Sequence, residues 1–244
     1  MLPSAAPIRI AVDAEIDRAG NIVATSRATQ QMVAALKQAI AAQDPSAAIE
    51  VVPAAGLQAE PSDGEQQPRY CPLTIALPDS FEFPGRAIYQ ACKDVRARQQ
   101  WVEAHLQCAS GLQQPAAWAG NYWLPMVLTA KGPLYGEAIG EGMAPNTYRQ
   151  PIELDDHQRQ QLYRLGHQLL HALAAPPAVY LLQFGYLDGQ IAFDRLWPFP
   201  AAPALASVGV QSPDLFACHW QCLTGRPVCN LAIRAQAAGW YESG

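Results

Sequence analysis

Residues 179–201 read VYLLQFGYLDGQIAFDRLWPFPA. Two apolar, strand-like runs, 179–184 and 190–193, flank Tyr186-Leu187-Asp188-Gly189, and the Asp-Gly pair predicts a tight hairpin turn. The second run leads to Asp194, then Arg195, and then a stiff exit, Trp197-Pro198-Phe199-Pro200. A carboxylate at a strand end beside a proline-rich loop can ligate a metal or a nucleotide. It can equally close a hairpin that packs on its own aromatics, and the residues alone leave both readings open.

Downstream, LFACHWQCL at 215–223 predicts a helix with Cys218 and Cys222 at i and i+4 on the same face as Leu215, the pattern of a helix packed on a sheet. The chain has six cysteines: Cys71, Cys92, Cys108, Cys218, Cys222 and Cys229. The spacings around His219 do not form paired Cys-x-x-Cys clusters, so buried free thiols are expected rather than a zinc site. The tail, 231–244, reads as peripheral.

Upstream, Asp155 or Asp156 is expected to cap a helix over 157–174, with a stripe of Leu162, Leu165, Leu169 and Leu173. Before it, WLPMVLTA at 123–130 reads as a buried strand, followed by Lys131 and glycines at 132, 136, 140 and 142. Helical periodicity runs through 86–108. Strands are expected at 8–13, 21–25, 48–52 and 73–77, with a turn at Ala19-Gly20-Asn21. A helix over 29–42, capped by Ser26 or Thr29, carries Met32, Val33, Leu36 and Ile40. The Gly-, Pro- and Gln-rich stretch 54–69 reads as a loop or linker. It separates a small N-terminal α/β subdomain, 1–53, from the main region, 70–230. Alternating strands and helices make the class α/β, or α+β.

The chain has 244 residues, half of them hydrophobic and only 15% charged, which excludes a disordered chain and allows a substantial core. A formal charge of −5 without any basic run argues against a nucleic-acid or anionic-membrane surface; the nearest approach to a run is Lys93 to Arg98. No stretch of about 18 apolar residues predicts a membrane span. The start, MLPSAAPIRI, lacks signal-peptide character, so a cytoplasmic protein is expected.

Three constellations are weighed against plainer readings. Asp13, Glu15 and Asp17 alternate, so they share one side of a strand and could hold a cation, but a solvent-facing edge explains them as well. His167 and His171 sit one turn apart; two ligands do not make a metal site, and an exposed polar face is the simpler reading. Lys131 with Gly132 and Gly136 could surround phosphates with an ammonium and backbone N–H groups. The alternative is a plain hairpin turn between PMVLTA and YGEAI.

The order of these elements resembles the ATP-grasp superfamily over about residues 71–225. ACKDVRARQQWVEAHL followed by Pro115 is similar to that family's early helix, with Lys93-Asp94 in reversed order. LPMVLTAKGPLYGEAIGEG resembles its strand ending in a nucleotide-binding lysine, with Lys131 in that place. GHQLLHALAAPPAVYLLQFGYLDGQIAFDRLWPFPA resembles its helix, carboxylate-bearing strand and second strand leading to proline. PDLFACHWQCLTG resembles the closing helix and glycine. The resemblance implies an ATP-grasp-like C-terminal region. It also implies ATP-binding roles for Lys93, Lys131, Gly132 and Gly136, and Mg²⁺ on Asp194. Arg195 or Arg86 would hold an acyl phosphate or carboxylate.

The departures from that pattern are specific. Asp194 replaces a metal-binding Glu, Leu196 replaces an Asn, and Gln183 stands where a first metal carboxylate is expected. About two dozen residues separate Lys131 from the Leu-stripe helix, leaving no room for the half-domain that normally supplies an adenine hinge. Two functions are therefore expected in competition. The first is a non-catalytic binding or assembly factor, whose partner is an unknown protein or small molecule and whose contact surfaces are Tyr122-Trp123 and 197–203. The second is a reduced ATP- and Mg²⁺-dependent ligase joining a carboxylate to an amine or thiol through an acyl phosphate.

Overall fold

A computed structural model describes residues 6–16, 22–58, 68–115, 118–144, 146–234 and 239–242. The expected turn at Ala19-Gly20-Asn21, Asp17, and most of the 54–69 stretch lie outside the described residues.

The first layer is built from β1 (Ile8–Val12), a short hairpin of β2 (Glu15–Ile16) and β3 (Ile22–Ala24), α1 (Arg27–Gln43), β4 (Ile49–Pro53) and β5 (Arg69–Pro72). Strands β4, β1 and β5 form a parallel sheet in that order. The 54–69 stretch therefore leads back into the first sheet before the chain leaves it. Ser26 caps α1 by accepting the Thr29 N–H at 3.1 Å. Met32, Val33, Leu36, Ala39 and Ile40, at helical spacing, form its buried face. Asp13 lies past the end of β1 and is exposed, so the acidic row does not form on one strand.

Residues 73–77 are not a strand. The Leu73 N–H still bonds to the Ala11 carbonyl at 2.8 Å, after which the chain turns away. Leu73 and Leu77 are buried all the same, so the apolar run reflects burial rather than sheet pairing. The expected helix over 86–108 is two helices, α2 (Arg86–Lys93) and α3 (Val95–Leu106). Asp94, at φ −85° and ψ 79°, breaks the first and caps the second through the Ala97 N–H at 3.0 Å.

The second layer begins with β6 (Ala109–Ser110), β7 (Tyr122–Thr129), β8 (Gly132–Tyr135), β9 (Ala138–Glu141) and β10 (Thr147–Ile152). It continues through α4 (Asp156–Ala172), β11 (Ala178–Leu187), β12 (Gln190–Trp197), β13 (Gln211–Ser212), α5 (Leu215–Leu223), β14 (Ala232–Ile233) and β15 (Gly239–Glu242). Its main sheet runs β15-β10-β9-β7-β11-β12-β6, with β8 paired to β7. Asp155 and Gln158 form a reciprocal capping box at the start of α4. Asp188 (φ 50°) and Gly189 (φ 78°) make the predicted β11–β12 turn, whose two left-handed residues suit the strand twist. One continuous hydrophobic core joins both layers.

Cys71, Cys92, Cys108, Cys218 and Cys222 are buried free thiols, and Cys229 is exposed. Burial pushes the Cys71 thiol up to about 12 and the Cys222 thiol up to about 11, so both stay protonated and unreactive. Among the described residues, no helix is long and apolar enough to cross a membrane.

Candidate functional site

Strand β12 carries Asp194 inside its length rather than at its exit. Gln183 of β11 pairs with Arg195 and the next residue, Phe184, pairs with Phe193, so Asp194 is the extra residue of a β-bulge. Bulges re-aim a side chain, and here the carboxylate turns inward until Asp194 is 1% exposed.

A buried carboxylate must have its oxygens satisfied. Oδ2 accepts the Gly120 N–H at 3.0 Å, and Oδ1 accepts from Arg195 Nε at 3.3 Å. The Gly120 carbonyl in turn accepts from Gln183 Nε2. Gln183 Oε1 accepts from the Trp197 indole N–H at 2.8 Å, and the Arg195 guanidinium lies 5.6 Å from the Trp197 ring centroid. The contacts close a ring: Asp194, Gly120, Gln183, Trp197, Arg195 and back to Asp194. Gln99 adds a hydrogen bond to the Asp194 backbone carbonyl at 3.1 Å. Gly120 is required, because a Cβ there would sit 2.4 Å from the Phe184 carbonyl oxygen.

Lys131 is far from this ring. It is exposed on the turn between β7 and β8, just past Leu128, which pairs with Ala178 at the start of β11. Gln183 is five residues further along β11, so about 17 Å of strand separates the two positions. Nor do the neighbouring glycines face a common space. Gly132 (φ 122°) completes the hairpin turn, and the Gly136 N–H is taken by the Pro125 carbonyl at 2.9 Å. Lys131 and Gly132 instead line a cleft with Pro177, Arg226 and Cys229.

Lys93 is committed elsewhere too. Its Nζ donates to Asp79 Oδ1 at 2.8 Å and to the Leu77 carbonyl at 3.3 Å. The hydrogen bond from Lys93 lowers the Asp79 pKa. Arg86 holds the same loop through Glu82 and the Asp79 carbonyl. Of the sequence-predicted residues, the structure brings together Asp194 and Arg195, and leaves Lys131, Gly132, Gly136 and Lys93 in other places.

The expected contact surfaces need correction. Trp123 is 5% exposed, and Pro198, Phe199, Pro200, Ala201 and Pro203 are buried. The prolines cover an apolar interior rather than presenting it. His167 and His171 are exposed, with rings 6.5 Å apart, as a polar helix face. Among the described residues, no group of three His, Cys, Asp or Glu side chains could hold a metal ion.

A magnesium ion favours several oxygen ligands in octahedral geometry. Asp194 offers one carboxylate, already bound to an N–H and a guanidinium, with the Gln183 amide beside it. These residues do not fit the ion.

Sequence reasoning missed Gly120, Gln99 and the role of Trp197. A polar Gln183 within an otherwise apolar strand was the available signal, since such a residue must find partners.

The parallel first sheet, the capped helices and the large mixed sheet that contains the β11–β12 hairpin define an ATP-grasp-like fold. The chain is similar in structure to a glycinamide-RNase-transformylase T from Mycobacterium tuberculosis, at 14% identity and TM-score 0.59, over 91% of this chain and 80% of that one. It is also similar to N5-carboxyaminoimidazole ribonucleotide synthetase from Thermus thermophilus, at 10% identity and TM-score 0.62, over 91% and 79%. The Staphylococcus aureus N5-carboxyaminoimidazole synthetase complexed with ADP matches at 9% identity and TM-score 0.62, over 93% and 80%. No protein-family model matches the sequence, and neither does any curated protein.

Proposed function

We infer that this chain is a binding or assembly protein built on an ATP-grasp-like fold, with a small molecule or another protein as partner. The closed ring around Asp194 carries this reading. The acidic side chain that a ligase would turn toward a metal here joins Gly120 to Arg195 and fastens the bulge. Lys131, at the far end of the sheet, has no path to it without refolding the β7–β8 hairpin. The short segment between Lys131 and α4 is consistent with this, because β8, β9 and β10 all join the main sheet.

The synthetases of similar fold, one of them complexed with ADP, favour a second reading: an ATP-dependent ligase acting through an acyl phosphate. One measurement separates the two. The binding-protein reading expects no change in melting temperature with millimolar ATP and Mg²⁺, and no nucleotide hydrolysis. A ligand that binds only the folded state at a hundred times its Kd stabilises by about 2.7 kcal/mol, which a thermal melt resolves readily. A magnesium-dependent shift that Asp194→Asn abolishes would establish the ligase reading instead.

A further inference from the structure

The cleft beside Lys131 lies at the far end of β11 from the Asp194 ring. It holds about 480 Å³ between the β7–β8 turn and the chain that leaves α5. That is within the range of about 300–1,000 Å³ that small-molecule sites occupy. Pro133, Leu134, Pro177, Pro227 and Val228 make much of its wall apolar. The three prolines fix their own φ, so the wall keeps its shape. Lys131 and Arg226 are the charged side chains of this lining, and among the described residues no carboxylate shares it.

The position of Arg226 is set twice. Gly225 (φ 68°) ends α5 in a left-handed conformation. Its N–H donates to the Cys222 carbonyl at 3.1 Å and the Arg226 N–H to the Gln221 carbonyl at 2.8 Å, the paired bonds of a Schellman motif. The side chain then reaches the end of α1, where Nη1 donates to the Gln43 carbonyl at 3.2 Å and to Gln43 Oε1 at 3.1 Å. Its Nε and Nη2 have no partner among the described residues, and neither has Lys131 Nζ. By contrast, Arg9, Arg86, Lys93, Arg159 and Arg195 each pair with a carboxylate. A guanidinium anchored at one nitrogen still offers its Nε–Nη2 edge, two parallel N–H groups with the spacing of a carboxylate or phosphate.

We propose that this cleft binds a small organic anion, its carboxylate or phosphate head on Arg226 and Lys131 and its apolar body along the proline wall. The two cations select negative charge, and the wall favours a ligand with an apolar body over a bare inorganic ion. Because Arg226 is fixed beforehand, little side-chain freedom is lost on binding. The proposal rests on the binding-protein reading for its small-molecule partner, and the two fail separately. An Asp194-dependent melting shift with ATP and Mg²⁺ would remove that reading and leave the cleft as it stands.

The test uses the full chain and three probes with one ring system: naphthoate, naphthyl phosphate and the neutral naphthamide. Calorimetric titration at pH 7.5 is expected to show at least one of the two anions binding about tenfold tighter than naphthamide, and the tighter of them assigns the head group. Lys131→Ala, at an exposed turn position, is expected to weaken that anion about threefold to fivefold and to leave naphthamide unchanged. Arg226→Gln removes the charge and the two-donor edge, and is expected to bring anion and amide within about twofold of each other. The location is read in wild-type protein through Cys229, the exposed cysteine in the lining, since the other five are buried. Saturating anion is expected to slow alkylation of Cys229 by iodoacetamide severalfold, whereas naphthamide at the same concentration does not. That readout decides the question even if Arg226→Gln does not fold. Equal affinities for anions and amide, no binding of any probe up to its solubility limit, or unchanged alkylation of Cys229 at saturation would each overturn the proposal.

Discussion

Two places along β11 use polar groups in opposite ways. At Gln183 the side chain finishes a circuit in which the Asp194 oxygens, the Gly120 peptide, the Trp197 indole and the Arg195 guanidinium satisfy one another. Four residues earlier, the Val179 N–H donates to one nitrogen of the buried His219 ring, and among the described residues the other nitrogen has no partner. Buried polar groups in native proteins are nearly always paired, so the complete circuit serves structure, and the unpaired nitrogen costs stability instead. The residue types that first draw attention, an acid and an arginine at a strand end, belong to the complete circuit. The unpaired nitrogen belongs to a histidine inside an apolar helix.

The comparison can be broken most severely at Gly120. Gly120→Ala forces a Cβ to within 2.4 Å of the Phe184 carbonyl, against backbone that cannot swing aside. A loss of about 3 kcal/mol or more is expected, read as a lower urea midpoint with unchanged slope. A variant as stable as wild type would show that the circuit does not constrain the sheet.

The next effect is one of pH. The His219 pKa falls from 6.5 to about 3 on folding because burial disfavours the charged ring. A depressed histidine keeps its full contribution above pH 6.5 and loses it as pH falls toward 3, because the unfolded chain takes up a proton that the folded one refuses. Between pH 7 and 4.5 the loss is about 2–3 kcal/mol beyond that of other groups. His219→Asn should lack this component, so the gap between the two stability curves isolates it.

Asp194→Asn preserves the shape and an acceptor for Gly120 but removes the charge facing Arg195, whose side chain is 34% exposed. Solvent screening at the arginine keeps the expected loss to about 1 kcal/mol. Asp194→Ala should cost more, since it strands the Gly120 N–H. If Asn is the worse substitution, the charge rather than the hydrogen bond holds the bulge. Smallest of all is Lys131→Ala, expected within about 0.5 kcal/mol of wild type for an exposed turn position. A larger loss would mean that Lys131 has a partner of its own.

Much of this fold was legible in the sequence because its signals are local. Ser26 and Asp155 each cap a helix through an N–H group three residues away, and Asp188-Gly189 specifies its turn by itself. The helix break at Asp94 was hidden, since apolar spacing continues through it while the capping side chain interrupts the backbone. The candidate site was legible only as neighbours in sequence, Asp194 beside Arg195. Its other members stand at 99, 120, 183 and 197, and no spacing rule brings those together. The bulge at Asp194 depends on pairing between strands, which one strand's alternation cannot reveal. Resemblance placed Lys131 on a nucleotide-binding strand. In the structure β7 pairs directly with β11 in the main sheet, and that long-range pairing carries the lysine to the other end.

A file of aromatic rings runs Tyr70, Phe81, Phe83, Tyr89, Phe199 and Trp197, with successive centroids 4.8 to 5.9 Å apart. It begins on β5 of the parallel sheet and ends at the indole that closes the Asp194 circuit. Loosening either end exposes rings that the other needs. The two sheets are therefore coupled in unfolding, and scanning calorimetry should record one transition whose calorimetric and van't Hoff enthalpies agree.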